Sequence, residues 1–192
     1  QPPDLVMISP NAPEAMNLYV QECQEMAIPY IYDPSQQIVR LSAEDIRCGI
    51  EGALALFVND YEYALVQKLT GLSAEEILNN RPDAFVVVTH GAQGAMIYTS
   101  QCTYQIPAVS PERVVDPTGV GDAFRGGFLT GYSNGLDLLV CGRMGALAAT
   151  YCLERRGPQG HSYSRREFVN RYRSLFDDQG QLDVLLEPPD SE

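Results

Sequence analysis

The chain has few basic residues for its size. Its 192 residues include 13 Lys or Arg against 25 Asp or Glu, so its formal net charge is −12 at pH 7. Because nucleic-acid binding needs a basic face that neutralises phosphates, this balance argues against a nucleic-acid partner. A nucleotide ligand stays compatible with it, since a metal ion and local backbone amides can neutralise a few phosphates.

Several other patterns are also missing. No apolar run is long enough to span a membrane, so we expect no membrane partner. The sequence holds no Walker A string, no G-x-G-x-x-G and no cluster of His and Cys at metal-ligand spacing. With only 2 His in the chain, a Ser-His-Asp hydrolase is unattractive.

The cysteines argue against a disulfide framework. There are 5 of them, an odd number, scattered and without a C-x-x-C pair. This usage fits reduced thiols in a cytoplasmic protein better than disulfides or a zinc site. We therefore expect a cytoplasmic location.

Strand-like and helix-like segments alternate along the chain. Apolar runs at Leu5–Ile8, Tyr30–Tyr32 and Leu54–Val58 are separated by segments with helical spacing and capping residues. This alternation predicts an α/β fold with a largely parallel sheet. A further strong strand is predicted at Ala84–Thr89, followed by another at Met96–Thr99.

The most informative stretch is the one from Asp116 to Gly127, which reads DPTGVGDAFRGG. It follows a strand-like run ending at Val114–Val115, and a helix is predicted from Ala123 to Asn134. The two glycines allow a sharp turn whose N–H groups, with the positive end of the helix, form an anion site. A carboxylate at Asp122 would repel that anion, and this conflict is resolved if Asp122 is a general base. The simpler alternative is that Asp122 caps the helix.

Two shorter patterns lie at predicted strand ends. Asn59 and Glu62 form N-x-x-E after the third strand, at the edge where ligands of open α/β sheets bind. As structure alone, this is an Asn cap with a first-turn Glu. Thr89, Gly91 and Gly94 mark a tight turn that hairpin chemistry alone would explain.

The string DPTGVGDAF closely resembles the C-terminal signature of the PfkB carbohydrate kinase family, also called ribokinase-like. The resemblance implies that Asp122 is the catalytic base and that the amides of Gly119, Val120 and Gly121 form an anion hole. It also implies that Thr118 contacts the nucleotide.

The same resemblance extends to the two shorter patterns. In the family, N-x-x-E helps to place magnesium and the phosphates, which implies a nucleotide role for Asn59 and a Mg²⁺ role for Glu62, mainly through water. A T-x-G-x-x-G-A segment borders the nucleotide, which implies binding by Thr89, Gly91 and Gly94.

Monovalent-cation binding is a further implication of the resemblance. Many members bind such a cation, for example K⁺, through the aspartate that corresponds to Asp116. Here Asp116 is retained, but Pro117 departs from the family's common D-T-x. The expected cofactors are thus ATP and Mg²⁺, with K⁺ left open.

The resemblance also implies a fold and its extent. We expect a three-layer α/β/α ribokinase-like fold with a mostly parallel sheet, incomplete at its N-terminal side and without the family's lid. Residues 1–187 are expected to form the C-terminal portion of one kinase domain, and residues 188–192 an acidic tail. A homodimer of the full-length protein stays open, because lid strands often mediate dimers in this family.

The expected activity is transfer of the γ-phosphoryl group of ATP to the CH₂OH hydroxyl of a nucleoside or sugar. Adenosine is the preferred acceptor, because the signature and the later E-x-x-G-x-Q loop, from Glu154 to Gln159, look most like bacterial adenosine kinases. The alternatives are a ribokinase- or fructokinase-type sugar kinase, a catalytically silent nucleotide-binding relative, and an unrelated α/β nucleotide-binding protein.

Overall fold

A computed structural model describes residues 2–79 and 81–186 of the chain. The contacts divide the chain into two compact units. The first runs to Gly91 and includes Ala95–Gln105, and the second comprises Ala92–Gly94 and the residues from Ile106 onward. The predicted acidic tail at 188–192 lies outside the described residues.

A six-stranded sheet organises the first unit. Its strands lie side by side in sequence order: β1 Val6–Ile8, β2 Tyr30–Tyr32, β3 Ala55–Asn59, β4 Phe85–Thr89, β5 Ala95–Thr99 and β6 Thr103–Ile106. β1 to β4 pair in parallel, and β5 is antiparallel to β4. The sheet is therefore mostly parallel, as predicted, and the sequence reading missed only β6.

Three of the helices between these strands begin at capping residues. The helices of the first unit are α1 Pro13–Glu25, α2 Ala43–Glu51, α3 Asp60–Thr70 and α4 Ala74–Leu78, with a short 3₁₀ helix at Ser35–Val39. A second 3₁₀ helix, Gly91–Gln93, lies where the chain passes from the first unit to the second. Ser42, Asn59 and Ser73 each form a complete capping box with the acidic residue three positions on. The alternation of strands and helices is thus fixed by local chemistry as well as by burial.

The second unit is helical in its described part. Its helices are α5 Val120–Ser133, α6 Leu138–Leu153 and α7 Arg165–Leu175, followed by a 3₁₀ helix at Gln181–Leu185. α5 and α6 approach closely at small residues. A Cβ on Gly127 of α5 would lie only 2.7 Å from the Cβ of Ala148 in α6, so this approach requires glycine. The small residues of α6 therefore serve helix packing. Among the described residues, no helix has the length and apolar character needed to cross a membrane.

The segment before α5 differs from its prediction. Val114 and Val115 form no strand, and they are 70% and 44% exposed. The N–H of Val115 donates to the Leu153 carbonyl at 2.9 Å, so the segment is held by the end of α6 and not by a sheet neighbour. α5 also starts three residues earlier than predicted, because Gly119, with φ +81°, is its N-cap.

Candidate active site

The N-terminus of α5 is built on a glycine that no other residue could replace without strain. Gly119 has φ +81°, a conformation that L side chains adopt at a cost. A Cβ on Gly119 would also lie 2.4 Å from the Pro158 Cβ. The loop after α6 therefore packs directly on the glycine turn.

Asp122 lies in the first turn of α5, as its third residue. Its side chain is 82% exposed, and its Oδ1 is 3.2 Å from the Arg125 Nη1. Since Gly119 is the N-cap and α5 has no side-chain cap bond, the simpler alternative, that Asp122 caps the helix, is wrong. An exposed carboxylate at this position is free to meet a ligand.

Several backbone N–H groups of the glycine turn before α5 take no part in the hydrogen bonds of the helix. The Ala123 N–H donates to the Gly119 carbonyl at 2.9 Å, so the N–H groups of Gly121 and Asp122 precede the first helical bond. The Val120 N–H makes a long 3.4 Å bond back to the Pro117 carbonyl. The turn thus offers amide donors beside a positive helix end, as an anion hole requires.

Asp116 shapes the turn from its other side. Its carboxylate accepts the Thr118 N–H and the Gly157 N–H, each at 2.9 Å. Hydrogen bonding from Thr118, and then from the Gly157 N–H, lowers the pKa of Asp116. Asp116 therefore ties the signature to the loop after α6. A cation role for it stays a prediction.

The N-x-x-E pattern lies at the carboxyl end of β3 in the first unit. Asn59 Oδ1 accepts the Glu62 N–H and Glu62 Oε2 accepts the Asn59 N–H, both at 2.8 Å. Glu62 is buried, at 6% exposed, and Thr89 pairs with Asn59 across β3 and β4. Asn59 and Glu62 therefore form a capping box at the start of α3, and the second carboxylate oxygen of Glu62, Oε1, takes no part in it.

The two glycines after β4 have different roles. Gly94 has φ +93°, and a Cβ there would lie 2.0 Å from the Ile106 carbonyl oxygen, so the chain requires glycine at this position. Gly91 has φ +55°, and nothing lies within 4 Å of the position that a Cβ would occupy. Gly94 is therefore explained by the turn itself, whereas Gly91 borders open space.

The carboxylates of the described residues could hold Mg²⁺ only through water molecules and together with the phosphates of a substrate. In residues 2–79 and 81–186, no three His, Cys, Asp or Glu side chains are grouped as a metal site. Mg²⁺ commonly keeps several waters and uses one or two carboxylates together with substrate phosphates. The buried carboxylate of Glu62 fits that mode.

In the full-length protein, Glu62→Gln is expected to raise the magnesium concentration that gives half of the maximal rate of phosphoryl transfer by about 3- to 10-fold. The reason is that a carboxylate charge acting on Mg²⁺ through water contributes about 1 kcal/mol to its binding. Gln keeps the capping box, so folding is preserved. Glu76→Gln, at the same capping-box position of α4, is the matched control and should leave the titration unchanged. A Glu62→Gln curve that superimposes on the wild type would reduce Glu62 to a capping residue.

The chain is similar in sequence to one protein family and to several kinases. The family described as pfkB family carbohydrate kinase matches residues 6–164. The nucleoside kinase of Methanocaldococcus jannaschii is 38% identical over 128 residues, covering 67% of this chain and 42% of that protein. The cytidine kinase of Thermococcus kodakarensis is 31% identical over 154 residues, covering 78% of this chain and 55% of that protein.

A solved structure is similar over most of the chain. Burkholderia thailandensis nucleoside kinase in complex with inosine matches with a TM-score of 0.86 and 37% identity, covering 90% of this chain and 56% of that chain. The fold is thus the ribokinase-like α/β fold with a mostly parallel sheet. The chain spans about half the length of the curated relatives it matches.

Sequence reasoning missed two contacts at the glycine turn. Pro158 lies in a predicted loop, and no local signal connects it to Gly119. Arg125 belongs to the signature string, but its contact with Asp122 was not predicted. Its spacing of three residues from an acidic residue in a helix was a usable signal.

Proposed function

Because this chain belongs to the pfkB family of carbohydrate kinases, we propose that the full-length protein transfers the γ-phosphoryl group of ATP to the CH₂OH hydroxyl of a nucleoside. The observation that carries the proposal is the exposed carboxylate of Asp122 beside amide donors at the N-terminus of α5. A base next to an anion hole suits a reaction in which a hydroxyl attacks a phosphoryl group.

Asp122 accepts the proton of the acceptor hydroxyl in this proposal. The hydroxyl oxygen forms a bond to the γ-phosphorus, the bond from that phosphorus to the β,γ-bridging oxygen breaks, and ADP leaves with the bonding electrons. The amides of Gly119 to Gly121 and the positive end of α5 stabilise the charge on the group in transfer. Because Val120 is partly engaged with Pro117, Gly121 is the better placed donor.

The remaining predicted residues have supporting roles in the proposal. Mg²⁺ supplies charge neutralisation of the ATP phosphates, and Glu62, with Asn59, would hold it through water. Thr89, Gly91, Gly94 and Thr118 are proposed to border the nucleotide. Asp116 is proposed as a K⁺ ligand, in addition to its hydrogen bonds to the turn.

The acceptor is proposed to be a nucleoside, phosphorylated on its 5′-hydroxyl. The names of the similar proteins support this class: two nucleoside kinases, one of them with bound inosine, and a cytidine kinase. Adenosine is the acceptor that the sequence itself favours. A sugar such as ribose or fructose is the second candidate, because the family is described by carbohydrate kinase activity.

The test is a comparison of kcat/KM for adenosine, inosine, cytidine, ribose and fructose with the full-length protein. We expect nucleosides to exceed the free sugars by about 100-fold or more, because a site built around a base leaves polar groups unpaired when the base is absent. A higher kcat/KM for ribose or fructose would overturn the nucleoside assignment. A higher kcat/KM for inosine or cytidine than for adenosine would overturn only the adenosine assignment. ATP binding without turnover of any acceptor would favour the catalytically silent alternative.

A further inference from the structure

The segment that leads into the glycine turn is hydrogen-bonded to the end of α6. The N–H of Glu112 donates to Oε1 of Glu154, the C-cap of α6, at 2.8 Å. The Leu153 carbonyl accepts the N–H of Val115 at 2.9 Å and the N–H of Asp116 at 3.3 Å. These bonds end at Asp116, where the signature begins, so the end of α6 holds the backbone that enters the turn.

Burial contributes little to the position of this segment. Glu112, Val114 and Val115 are exposed, and none of them belongs to a strand or a helix. Because apolar burial is the dominant favourable force in folding, a segment that buries so little depends on its hydrogen bonds. The bond from Glu112 to Glu154 is the one in this segment that a side chain of α6 accepts, so substitution can remove it.

Glu154 is itself fixed by Arg171 of α7. The carboxylate is buried, and it accepts the Arg171 Nη1 at 2.8 Å and the Arg171 Nη2 at 2.6 Å, one on each oxygen. The guanidinium also lies over the Tyr151 ring, 4.5 Å from its centroid. Hydrogen bonding from Arg171 lowers the pKa of Glu154, so the carboxylate is ionised at neutral pH. A bidentate pair of this kind has a well-defined geometry.

The pair does more than join two helices. An ion pair between α6 and α7 needs only the carboxylate of Glu154 and the guanidinium of Arg171. The Oε1 of Glu154 has a further partner, the N–H of Glu112, which lies outside both helices. The pair therefore connects α7 to the segment before the glycine turn.

We propose that Glu154, fixed by Arg171, is a positioning residue for phosphoryl transfer, because it holds the segment that sets the place of the glycine turn. This inference deepens the proposed function and rests on it. Glu112 precedes Asp116 by four residues and Gly119 by seven. A displacement of the segment therefore passes along a short stretch of backbone to the amide donors. A misplacement of about 1 Å at a reacting centre can lower a rate by about 100-fold.

A purely structural role predicts different behaviour. If the pair of Glu154 and Arg171 only joins α6 to α7, its removal lowers the free energy of unfolding, and the protein that stays folded keeps the wild-type kcat. If Glu154 positions the turn, kcat falls in the folded variant while the KM for ATP changes little, because the amides act on the transition state.

Asp178 provides a matched control within the same unit. It is buried, and both of its carboxylate oxygens accept hydrogen bonds from Arg173 of α7. Its Oδ2 also accepts the N–H of Leu182 at 2.9 Å. The Asp178 site thus has the same three parts as the Glu154 site, but its backbone partner follows α7 and does not lead into the glycine turn.

The experiment measures kcat and the KM for ATP in the full-length protein, at a temperature at which every variant is folded. We expect Glu154→Ala to lower kcat by about 10- to 100-fold and to change the KM for ATP by less than about 3-fold. Glu154→Gln should lie between Glu154→Ala and the wild type, because Gln keeps an oxygen that can accept the Glu112 N–H. Asp178→Ala and Asp178→Asn should lower the free energy of unfolding and keep kcat within about 3-fold of the wild type.

Hydrogen exchange of the backbone amides is the second readout, and it does not depend on activity. In Glu154→Ala, the amides of residues 112–116 should exchange about 10-fold faster or more than in the wild type, because the segment loses its anchor. In Asp178→Ala, the same amides should exchange at the wild-type rate. A role confined to the contact between α6 and α7 would not produce this difference.

Three results would overturn the inference. They are a kcat for Glu154→Ala within about 3-fold of the wild type, an equal loss of kcat in Asp178→Ala, and unchanged exchange at residues 112–116. If Glu154→Ala does not fold, Glu154→Gln is compared with Asp178→Asn in the same way, and equal kcat values for those two would overturn it.

These outcomes are separable from failure of the proposed function. A wild-type protein that phosphorylates no nucleoside or sugar would contradict the function itself, and the exchange rates would still show whether Glu154 holds the segment. A wild-type protein that is active and loses turnover on Asp122→Asn, but not on Glu154→Ala, would contradict only the inference on Glu154.

Discussion

Asp122→Asn in the full-length protein is expected to lower kcat by about 10²- to 10⁴-fold, the usual contribution of a general base. The Kd for ATP should change by less than about 3-fold. The Asp122 side chain is 82% exposed and contacts Arg125, and an Asn carbonyl oxygen can accept the same hydrogen bond. The substitution therefore removes proton acceptance while it leaves the fold and the phosphate contacts in place.

The measurement pairs kcat with the nucleotide Kd on the same preparations. Asp137→Asn is a suitable control, because Asp137 is the N-cap of α6 and has no role in the proposed chemistry. It should keep the wild-type kcat. An Asp122→Asn protein that retains more than a tenth of the wild-type kcat would exclude Asp122 as the essential base.

Gly119→Ala has the second-largest expected effect. The left-handed conformation at φ +81° costs an alanine about 1–2 kcal/mol, and its Cβ would lie 2.4 Å from the Pro158 Cβ, so the loop or the turn must shift. Overpacking of this kind costs about 1–3 kcal/mol more. We therefore expect a loss of about 2–5 kcal/mol in the free energy of unfolding, and at least a 10-fold loss in kcat, because the amide donors move.

Gly135→Ala is the control that separates the cost of the left-handed backbone conformation from the cost of the contact with Pro158. Gly135 ends the same helix with φ +72°, but nothing lies within 4 Å of its Cβ position. Its replacement should cost only about 1–2 kcal/mol and leave kcat unchanged. Denaturant unfolding and kcat, measured on both variants, provide the comparison. Equal unfolding free energies and equal kcat values for the two would show that the Pro158 contact does not constrain the turn.

Local chemistry made much of the fold predictable from the sequence. Ser73 and Ser164 each precede an acidic residue by three positions, a pattern visible in the sequence, and both form complete capping boxes. The run at Val86–Val88 was predicted as a strand and is fully buried within β4. In each case the deciding interactions lie within a few residues, so the pattern and its physical cause are both visible in the sequence.

Features that depend on distant parts of the chain were not predictable. Val114 and Val115 have the composition of a strand, but their backbone is held by Leu153 at the end of α6. The contact of Gly119 with Pro158 joins residues that no local pattern relates. The position of Asp122 directly after the glycines is visible in the sequence. The start of α5 at Val120 is not, because it depends on the left-handed conformation of Gly119.

The most direct test of the central claim follows the γ-phosphoryl group itself. The full-length protein is given ATP labelled on the γ-phosphorus, Mg²⁺ and a nucleoside, and the labelled products are separated. The account predicts that the label appears on the 5′-oxygen of the nucleoside, in a one-to-one ratio with ADP, and that Asp122→Asn forms this product at least about 100-fold more slowly. Label found only in inorganic phosphate, or undiminished transfer by Asp122→Asn, would contradict it.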